Sequence, residues 1–488
     1  MKKHLLFICL LCIIKINAQN APQVKSGNEN RITIDFSVIE KQNVKGASGA
    51  NLCWLLDSDK YRPRTRSMRT ALAELGVGAL RFPYGHLADN YLWTTPPFEN
   101  AVKGLSARVA TTSQAPAKWD WCVNPDGTFK NALDFDEYIA LCKSIGAEPL
   151  IMVNVLSFRY EGGPSLESLI TSAAEWVKYA NVIRKYNVKY WQLGNEVEHT
   201  KEITLEEYVD IYGRMAAAMK AVDPTIKVGT GVLGQPAWNK AILEKHPDLV
   251  GFISAHQYAF NQPFSEKGYE GWKELAKVEN RNIQKMQNLL NEQNAYKDIS
   301  IMITETGATG GKWPENRTND LYKALYWFEM NMEELVQPNV KYSFFWGTHS
   351  PWGGEKADTG LEYLLTMKDN EVTPTGRIVE LVNKYMPQQI VKSDWVSGYL
   401  RIYAGISKDK KELSVFVLNK NDQEEKCTFN IAGTNLKNYL SEKFVFAGAS
   451  PVDTAPEVRK MKAKNVTGTV IDEAFAPCSL TILRYHRK

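Results

Sequence analysis

The sequence predicts a (β/α)8 barrel followed by an antiparallel β-sandwich that also takes up an N-terminal strand. Three observations carry this. Eight short apolar runs alternate with longer stretches of helical period between residues 45 and 385. After Pro387 the pattern changes to short alternating runs broken by polar turns. No glycine-rich phosphate loop follows the first apolar run, where an open doubly wound sheet would want one; Gly49-Ala50-Asn51 does not supply it. Strands buried on both faces read as continuous apolar runs, and strand–helix alternation implies a parallel sheet. Eight units over roughly 340 residues fit a closed barrel with enlarged loops.

The apolar runs lie at 49–54, 79–83, 149–154, 190–194, 228–232, 252–256, 299–304 and 342–346. Between them the spacing predicts amphipathic helices at 66–75, 134–144, 166–186, 205–222, 278–294 and 320–335. Thr204 before Leu205-Glu206-Glu207 reads as an N-cap with acids in the first turn. The C-terminal runs are 400–403, 413–418, 427–431, 444–446, 467–471 and 480–484, the spacing of a sandwich. The early run 31–39 (RITIDFSVI) also alternates and is expected to pair with that sheet, tying the chain ends together. The expected organisation is a leader (1–18), an N-terminal segment (19–44), the barrel (45–387) and the sandwich (388–488).

Composition excludes several function classes. With 44% hydrophobic and 23% charged residues the chain is neither disordered nor fibrous. Lys2 and Lys3, an apolar stretch at 5–14 and Asn17-Ala18 before Gln19 read as a cleavable signal peptide. The apolar stretch is short of the ~20 residues that cross a bilayer. Leu11 before Cys12 lacks the small residue that a lipoprotein anchor would want. The expectation is therefore a secreted or periplasmic protein with no membrane attachment in its mature form. Residues 1–18 hold three lysines and no acids, so the remainder carries 56 basic against 55 acidic residues. A near-neutral chain without a basic cluster argues against a nucleic-acid partner. Cys53, Cys122, Cys142, Cys427 and Cys478 are too few and too scattered for a disulfide scaffold, and read as buried free thiols. Neither CxxC nor HExxH occurs, so no metal and no cofactor is expected. Glu196-x-x-His199 resembles half of a di-iron ligand set, but such a site needs two of these pairs and one is present.

Two carboxylates stand out. Trp191-Gln192-Leu193-Gly194-Asn195-Glu196 puts an acid just beyond the fourth run, and Ile301-Met302-Ile303-Thr304-Glu305 does the same beyond the seventh. Barrel enzymes build their sites at the C-terminal ends of strands, so closure would bring both side chains into one cleft. Cleaving a glycosidic bond needs two such groups, one protonated to release the leaving oxygen, the other ionised.

An Asn-Glu pair after strand four and a Glu ending strand seven resemble the large clan of retaining (β/α)8 glycoside hydrolases. That resemblance implies Glu196 as acid/base and Glu305 as nucleophile, with Asn195 on the sugar hydroxyl beside the reacting carbon. It further implies Arg81, in Leu80-Arg81-Phe82-Pro83, beside the nucleophile, and His256 and Tyr258 at the end of strand six touching nucleophile or substrate. Asn154 at the end of strand three is a candidate hydroxyl contact. Trp346 and Trp352 are candidate stacking platforms, since an indole packs on the apolar face of a sugar ring. Trp93, Trp119, Trp121 and Trp313 fall in other expected top loops.

Within the clan, Arg81-Phe82-Pro83-Tyr84-Gly85-His86, then Tyr91-Leu92-Trp93, resembles the Arg-Phe-Pro-Gly-Gly-Asn segment of the α-L-arabinofuranosidase-like branch. The stretch from Ala476 to Leu483 resembles the last strand of that branch's sandwich. Tyr84 and His86 depart from the pattern, so the substrate contacts there, with His86 among them, should differ. An insert at 94–130 would wall one side of the cleft. The implied partner is a carbohydrate, of arabinofuranoside or agar-type galactan class. A non-catalytic carbohydrate-binding barrel and a metalloenzyme barrel are the alternatives; the first would require loss of one glutamate, and both are present.

Overall fold

The computed structural model describes residues 30–60, 64–93, 109–110, 122–125, 127–259, 264–278, 280–308, 318–349, 363–394, 398–463, 466 and 468–487. The predicted leader, most of the 94–130 insert, Trp119, Trp121, Trp313 and Trp352 lie outside the described residues.

After strand β1 (Asn30–Gln42), eight parallel strands close in chain order into a barrel: β2 (Ser48–Asn51), β3 (Ala79–Phe82), β4 (Glu148–Val153), β5 (Tyr190–Leu193), β6 (Lys227–Thr230), β7 (Val250–Tyr258), β8 (Ser300–Gly307) and β9 (Val340–Phe345). They match the eight apolar runs one for one. Ala79, Leu150, Tyr190, Phe252, Met302 and Phe344 meet inside the barrel and fill its lower half. The interior is therefore packed, and chemistry is confined to the upper rim.

The connecting helices begin where their caps allow. Ser67 caps α1 (Met68–Leu75), Asp134 and Glu137 form a capping box on α2 (Phe135–Ile145), and Ser165 caps α3 (Leu166–Val177). The single helix expected at 166–186 changes winding to a π-helical turn at Lys178–Ile183. After α4 (Val197–Thr200), the predicted Thr204 cap starts α5 (Leu205–Val222), with Glu207 reaching back to close its box. Then come α6 (Pro236–Lys245), α7 (Phe264–Lys273, broken at Gly268), α8 (Arg281–Asn291), α9 (Leu321–Leu335) and α10 (Pro374–Tyr385).

The C-terminal strands are β10 (Gln389–Asp394), β11 (Leu400–Ile406), β12 (Glu412–Asn419), β13 (Glu425–Ala432), β14 (Tyr439–Ala447), β15 (Glu457–Met461), β16 (Val470–Phe475) and β17 (Ser479–Arg487). They form one nine-stranded sheet in the order β15-β14-β17-β12-β11-β10-β1-β13-β16. As expected, β1 joins it, antiparallel to β10 and parallel to β13. Its apolar side has a core of its own, including Ile34, Val391, Ile402, Val415 and Phe429. The strand expected at 467–471 runs instead from Val470 to Phe475. Its inward positions are Ile471, Glu473 and Phe475, and the buried Glu473, paired with Lys443 at 2.9 Å, breaks the apolar alternation. The five cysteines that fall among the described residues are all buried and free. No described helix is long and apolar enough to cross a membrane.

Helix α9 differs from the amphipathic expectation: all fifteen of its residues are buried. It lies between barrel and sheet, with Trp327 edge-on to Phe345 and Phe328 stacked on Phe416. Its charged residues and Asn331 are tolerated there because each finds a partner. Glu329 accepts from Trp272 Nε1 (2.8 Å) and Arg401 Nε (3.1 Å) and pairs with Lys420 Nζ (3.0 Å). Removing one partner of a buried ion pair strands the others, at about 3–5 kcal/mol. Glu329→Gln is therefore expected to lower unfolding stability by roughly 3 kcal/mol, read as a fall in the urea midpoint, and Lys420→Met in the same chain to recover part of it.

Candidate active site

The upper rim is organised by Arg81, which has no exposure to solvent. A guanidinium so placed has to spend its donors on protein acceptors. Nε donates to Gln192 Oε1 at 2.9 Å, Nη1 to Asn51 Oδ1 at 2.8 Å and Glu305 Oε1 at 3.2 Å, and Nη2 to Asn195 Oδ1 at 2.6 Å. Asn51 is itself held by donating to the carbonyls of Thr304 and Phe345. One side chain thus ties the ends of β2, β3, β5 and β8. Arg81 reaches Glu305 as expected, and its full burial makes it a scaffold for that carboxylate.

Glu305 owes its orientation to an irregularity in β8. Pairing with β7 runs Ala255 to Ile303, then skips to His256 with Glu305. Met302 belongs to the barrel interior, Thr304 Oγ1 lies 3.0 Å from His256 Nε2, and Glu305 meets Arg81 in the lumen. Thr306 then faces outward, donating to Glu334 of α9 at 2.7 Å. Two successive residues therefore face inward. A bulge of this kind re-aims side chains at barrel rims. Glu305 Oε2 accepts from Tyr258 at 2.7 Å. Burial, and the charges of Glu305 and Glu196, hold the Tyr258 phenol well above its usual range, so it remains a donor.

Glu196 is placed by a tight turn. Gly194 has φ 79°, and a Cβ there would lie 2.6 Å from Val155 Cγ2 and 2.7 Å from Val197 Cγ1. Glu196 itself sits in the left-handed region at φ 46°, the kind of strain that collects at functional sites. Oε1 lies 2.7 Å from His256 Nδ1, and Oε2 lies 2.9 Å from His86 Nε2 and 3.7 Å from His199 Nδ1. Burial pushes the Glu196 carboxyl up, but the hydrogen bonds from His256 and His86 outweigh it and hold the group well below the usual carboxylate range.

The two carboxylates meet. One oxygen of Glu196, one of Glu305 and a ring nitrogen of His256 lie within 4.8 Å of one another. A small cation could be accepted at that spacing, although the same atoms are already engaged by Tyr258, Arg81 and the two histidines.

The remaining candidates divide. Asn195 Nδ2 is buried without a partner, available to a sugar hydroxyl. Trp346 is half-buried beside Tyr84 (ring centroids 4.8 Å apart), its Nε1 directed to Tyr363 Oη at 3.3 Å. Asn154 is not a sugar contact: Nδ2 donates to the Asp89 carbonyl at 2.6 Å and Oδ1 accepts from Ser157 N at 3.1 Å, so it pins a loop. Trp93 likewise leaves the cleft, stacking on Trp176 and donating to the Ser172 carbonyl. His86 bonds to Glu196. Sequence reasoning missed Asn51, Gln192, Thr304 and Gly85. A Cβ on Gly85 would stand 2.8 Å from Glu305 Oε1 and 3.6 Å from both Asn195 Nδ2 and Trp346 Cζ3, so this glycine keeps the cleft floor open.

Comparison with known proteins points the same way. Residues 172–344 match the family model described as Glycosyl hydrolases family 39. The α-L-arabinofuranosidase C of Emericella nidulans is 30% identical over 212 residues, 39% of this chain and 36% of that one. An intracellular exo-α-(1→5)-L-arabinofuranosidase of Acetivibrio thermocellus is 27% identical over 230 residues, 42% and 40% of the two chains. The chain thus spans well under half the length of these curated relatives. The fold extends further. The Thermotoga maritima α-L-arabinofuranosidase, solved with arabinose, superposes with TM-score 0.67 over 93% of this chain and 99% of that one, at 19% identity. A Paenibacillus polymyxa xyloglucanase shares the fold at TM-score 0.63 and 13% identity, over 94% of this chain and 100% of that one. The resemblance to retaining (β/α)8 glycoside hydrolases, on their arabinofuranosidase-like side, is therefore supported from both directions.

Gly194→Ala is expected to destabilise the protein by about 2 kcal/mol, since a Cβ is both crowded and disfavoured at that positive φ. The urea midpoint would report it, and Gly468→Ala, with open space around its Cα, is the control.

Proposed function

We propose that the chain is an exported retaining O-glycosidase acting on arabinofuranoside-type glycans by double displacement. The observation that supports this most is the approach of the Glu196 and Glu305 oxygens to within 4.8 Å. Retaining glycosidases keep their carboxyl groups about 5–5.5 Å apart, whereas inverting ones leave roughly 6.5–9.5 Å for a water. In the first step a Glu305 oxygen bonds to the anomeric carbon as the glycosidic C–O bond breaks, and Glu196 gives its proton to the departing oxygen. In the second, Glu196 takes a proton from water, whose oxygen displaces Glu305. Arg81 and Tyr258 keep the attacking carboxylate aimed. Asn195 Nδ2 meets the hydroxyl beside the reacting carbon, a bond that strengthens as oxocarbenium character grows. Trp346 offers the platform for the ring.

The sugar is assigned from the sequence relatives, since the fold also serves a xyloglucanase and specificity resides in loops. An agar-type galactan is the other class, because Tyr84 and His86 alter the rim segment that the arabinofuranosidase-like branch uses. Release of reducing ends from arabinan, xylan, agarose and carrageenan separates these, with Glu305→Gln as the blank.

Glu305→Ala should abolish turnover, with azide restoring it and giving product of inverted configuration. Glu196→Ala should cost roughly 10²–10⁴-fold on phenyl glycosides while sparing glycosylation by dinitrophenyl glycosides, whose leaving group needs no proton. Proton NMR of the first-formed anomer checks the mechanism; inversion by the wild type would overturn it.

A further inference from the structure

Glu196 is engaged at both oxygens before any sugar arrives. Oε1 faces His256 Nδ1 at 2.7 Å and Oε2 faces His86 Nε2 at 2.9 Å. The two imidazoles are not equivalent. His256 is 1% exposed and fixed at its far end by Thr304 Oγ1 at 3.0 Å. His86 opens a single 3-10 turn (His86–Asn90), and 27% of its side chain is exposed. A leaving-group oxygen has to come within about 2.6–3.2 Å of the acid. Of the two oxygens, Oε2 is the one whose partner can be moved aside.

We infer that His86 is a positioning residue that shares with Glu196 the proton destined for the leaving group. This rests on the acid/base reading of Glu196. At rest the proton is on His86 Nε2. As substrate enters, the Nε2–H bond breaks and an Oε2–H bond forms, leaving neutral imidazole and neutral acid. Oε2–H then breaks as the departing oxygen takes the proton and the anomeric carbon bonds to Glu305. The proton drawn from water in the second step returns by the same path.

The surrounding charges agree with this placement. Glu196 faces His86, His256 and His199, with Arg81, Tyr258 and Glu305 across the cleft. His86 faces Glu196, Asp89 and Glu305. Burial pulls the His86 imidazole down, but the hydrogen bond and charge of Glu196, with Asp89 and Glu305, raise it above its ordinary value. Asp89, three residues along the same turn, is buried with Oδ1 unpartnered and is pushed up by burial to about 6 against the pull of His86. Such a pair titrates as a unit. It holds its one proton until pH passes the raised imidazole value, whereas Glu196 alone would surrender the proton in the lower carboxylate range.

The test compares pH profiles of kcat/KM for phenyl and 2,4-dinitrophenyl α-L-arabinofuranosides. In His86→Gln the alkaline limb should move to lower pH by about one unit or more with the phenyl substrate, and stay in place with the dinitrophenyl substrate. An unmoved or upward-shifted limb overturns the proposal. A second readout needs no turnover: NMR titration of the His86 ring should show its pKa fall on Glu196→Gln, and an unchanged value overturns the sharing. Should no arabinofuranoside be cleaved by the wild type, the sugar assignment fails while the NMR result still judges the pair.

Discussion

Arg81 is a permanent cation shut off from water, so each of its donors has to be matched by an acceptor already in position. The acceptors come from three different strand ends: Asn51 on β2, Gln192 and Asn195 on and just beyond β5, and Glu305 on β8. Meeting that demand requires the barrel to close in one register. Slipping one strand by a residue would turn its acceptor outward and leave the guanidinium unpaired. The geometry of the site and the closure of the fold are in this sense one constraint. Arg81 also places Glu305 and Asn195 relative to each other, because it bonds to both.

The barrel was legible because strands buried on both faces cannot hide their apolar runs, and all eight appear where the sequence puts them. What escaped has identifiable reasons. β15, Glu457–Met461, is an exposed edge strand rich in charge, which protects an edge but erases the apolar signal. α9 contains Lys323, Glu329, Glu333 and Glu334, which read as a solvated face in one dimension. In three they are buried pairs at the junction of barrel and sheet.

Within the site, Glu196 and Glu305 were legible from their place at strand ends, and Arg81 from its neighbours. Gln192 and Asn51 were not, because their role follows from which inward-facing residues share a layer, and that depends on register between distant strands. Thr304 was hidden by the bulge: strict alternation allows Thr304 or Glu305 to face the lumen, and here both do. Gly85 matters for the atom it lacks. Asn154 and Trp93 show the opposite error, in which a polar or aromatic residue at a rim position is consumed by the scaffold.

The partners of the two carboxylates fit the different roles proposed for these chemically identical groups. Glu305 is hydrogen-bonded by a guanidinium, which does not deprotonate, and by a phenol held well above its usual range, with His256 Nδ1 farther off at 3.6 Å. Neither hydrogen-bond partner gives up its proton readily, which suits the nucleophile role proposed for Glu305. Glu196 is met by two imidazoles, and its hydrogen bond and charge help to raise the His86 imidazole above its ordinary value. It therefore sits where a proton can be received and passed on. Tuning neighbours apart is how one fold runs nucleophile and acid side by side. On the proposed reading the assignment of roles lies less in the glutamates than in the groups hydrogen-bonded to each: guanidinium and phenol for Glu305, imidazoles for Glu196.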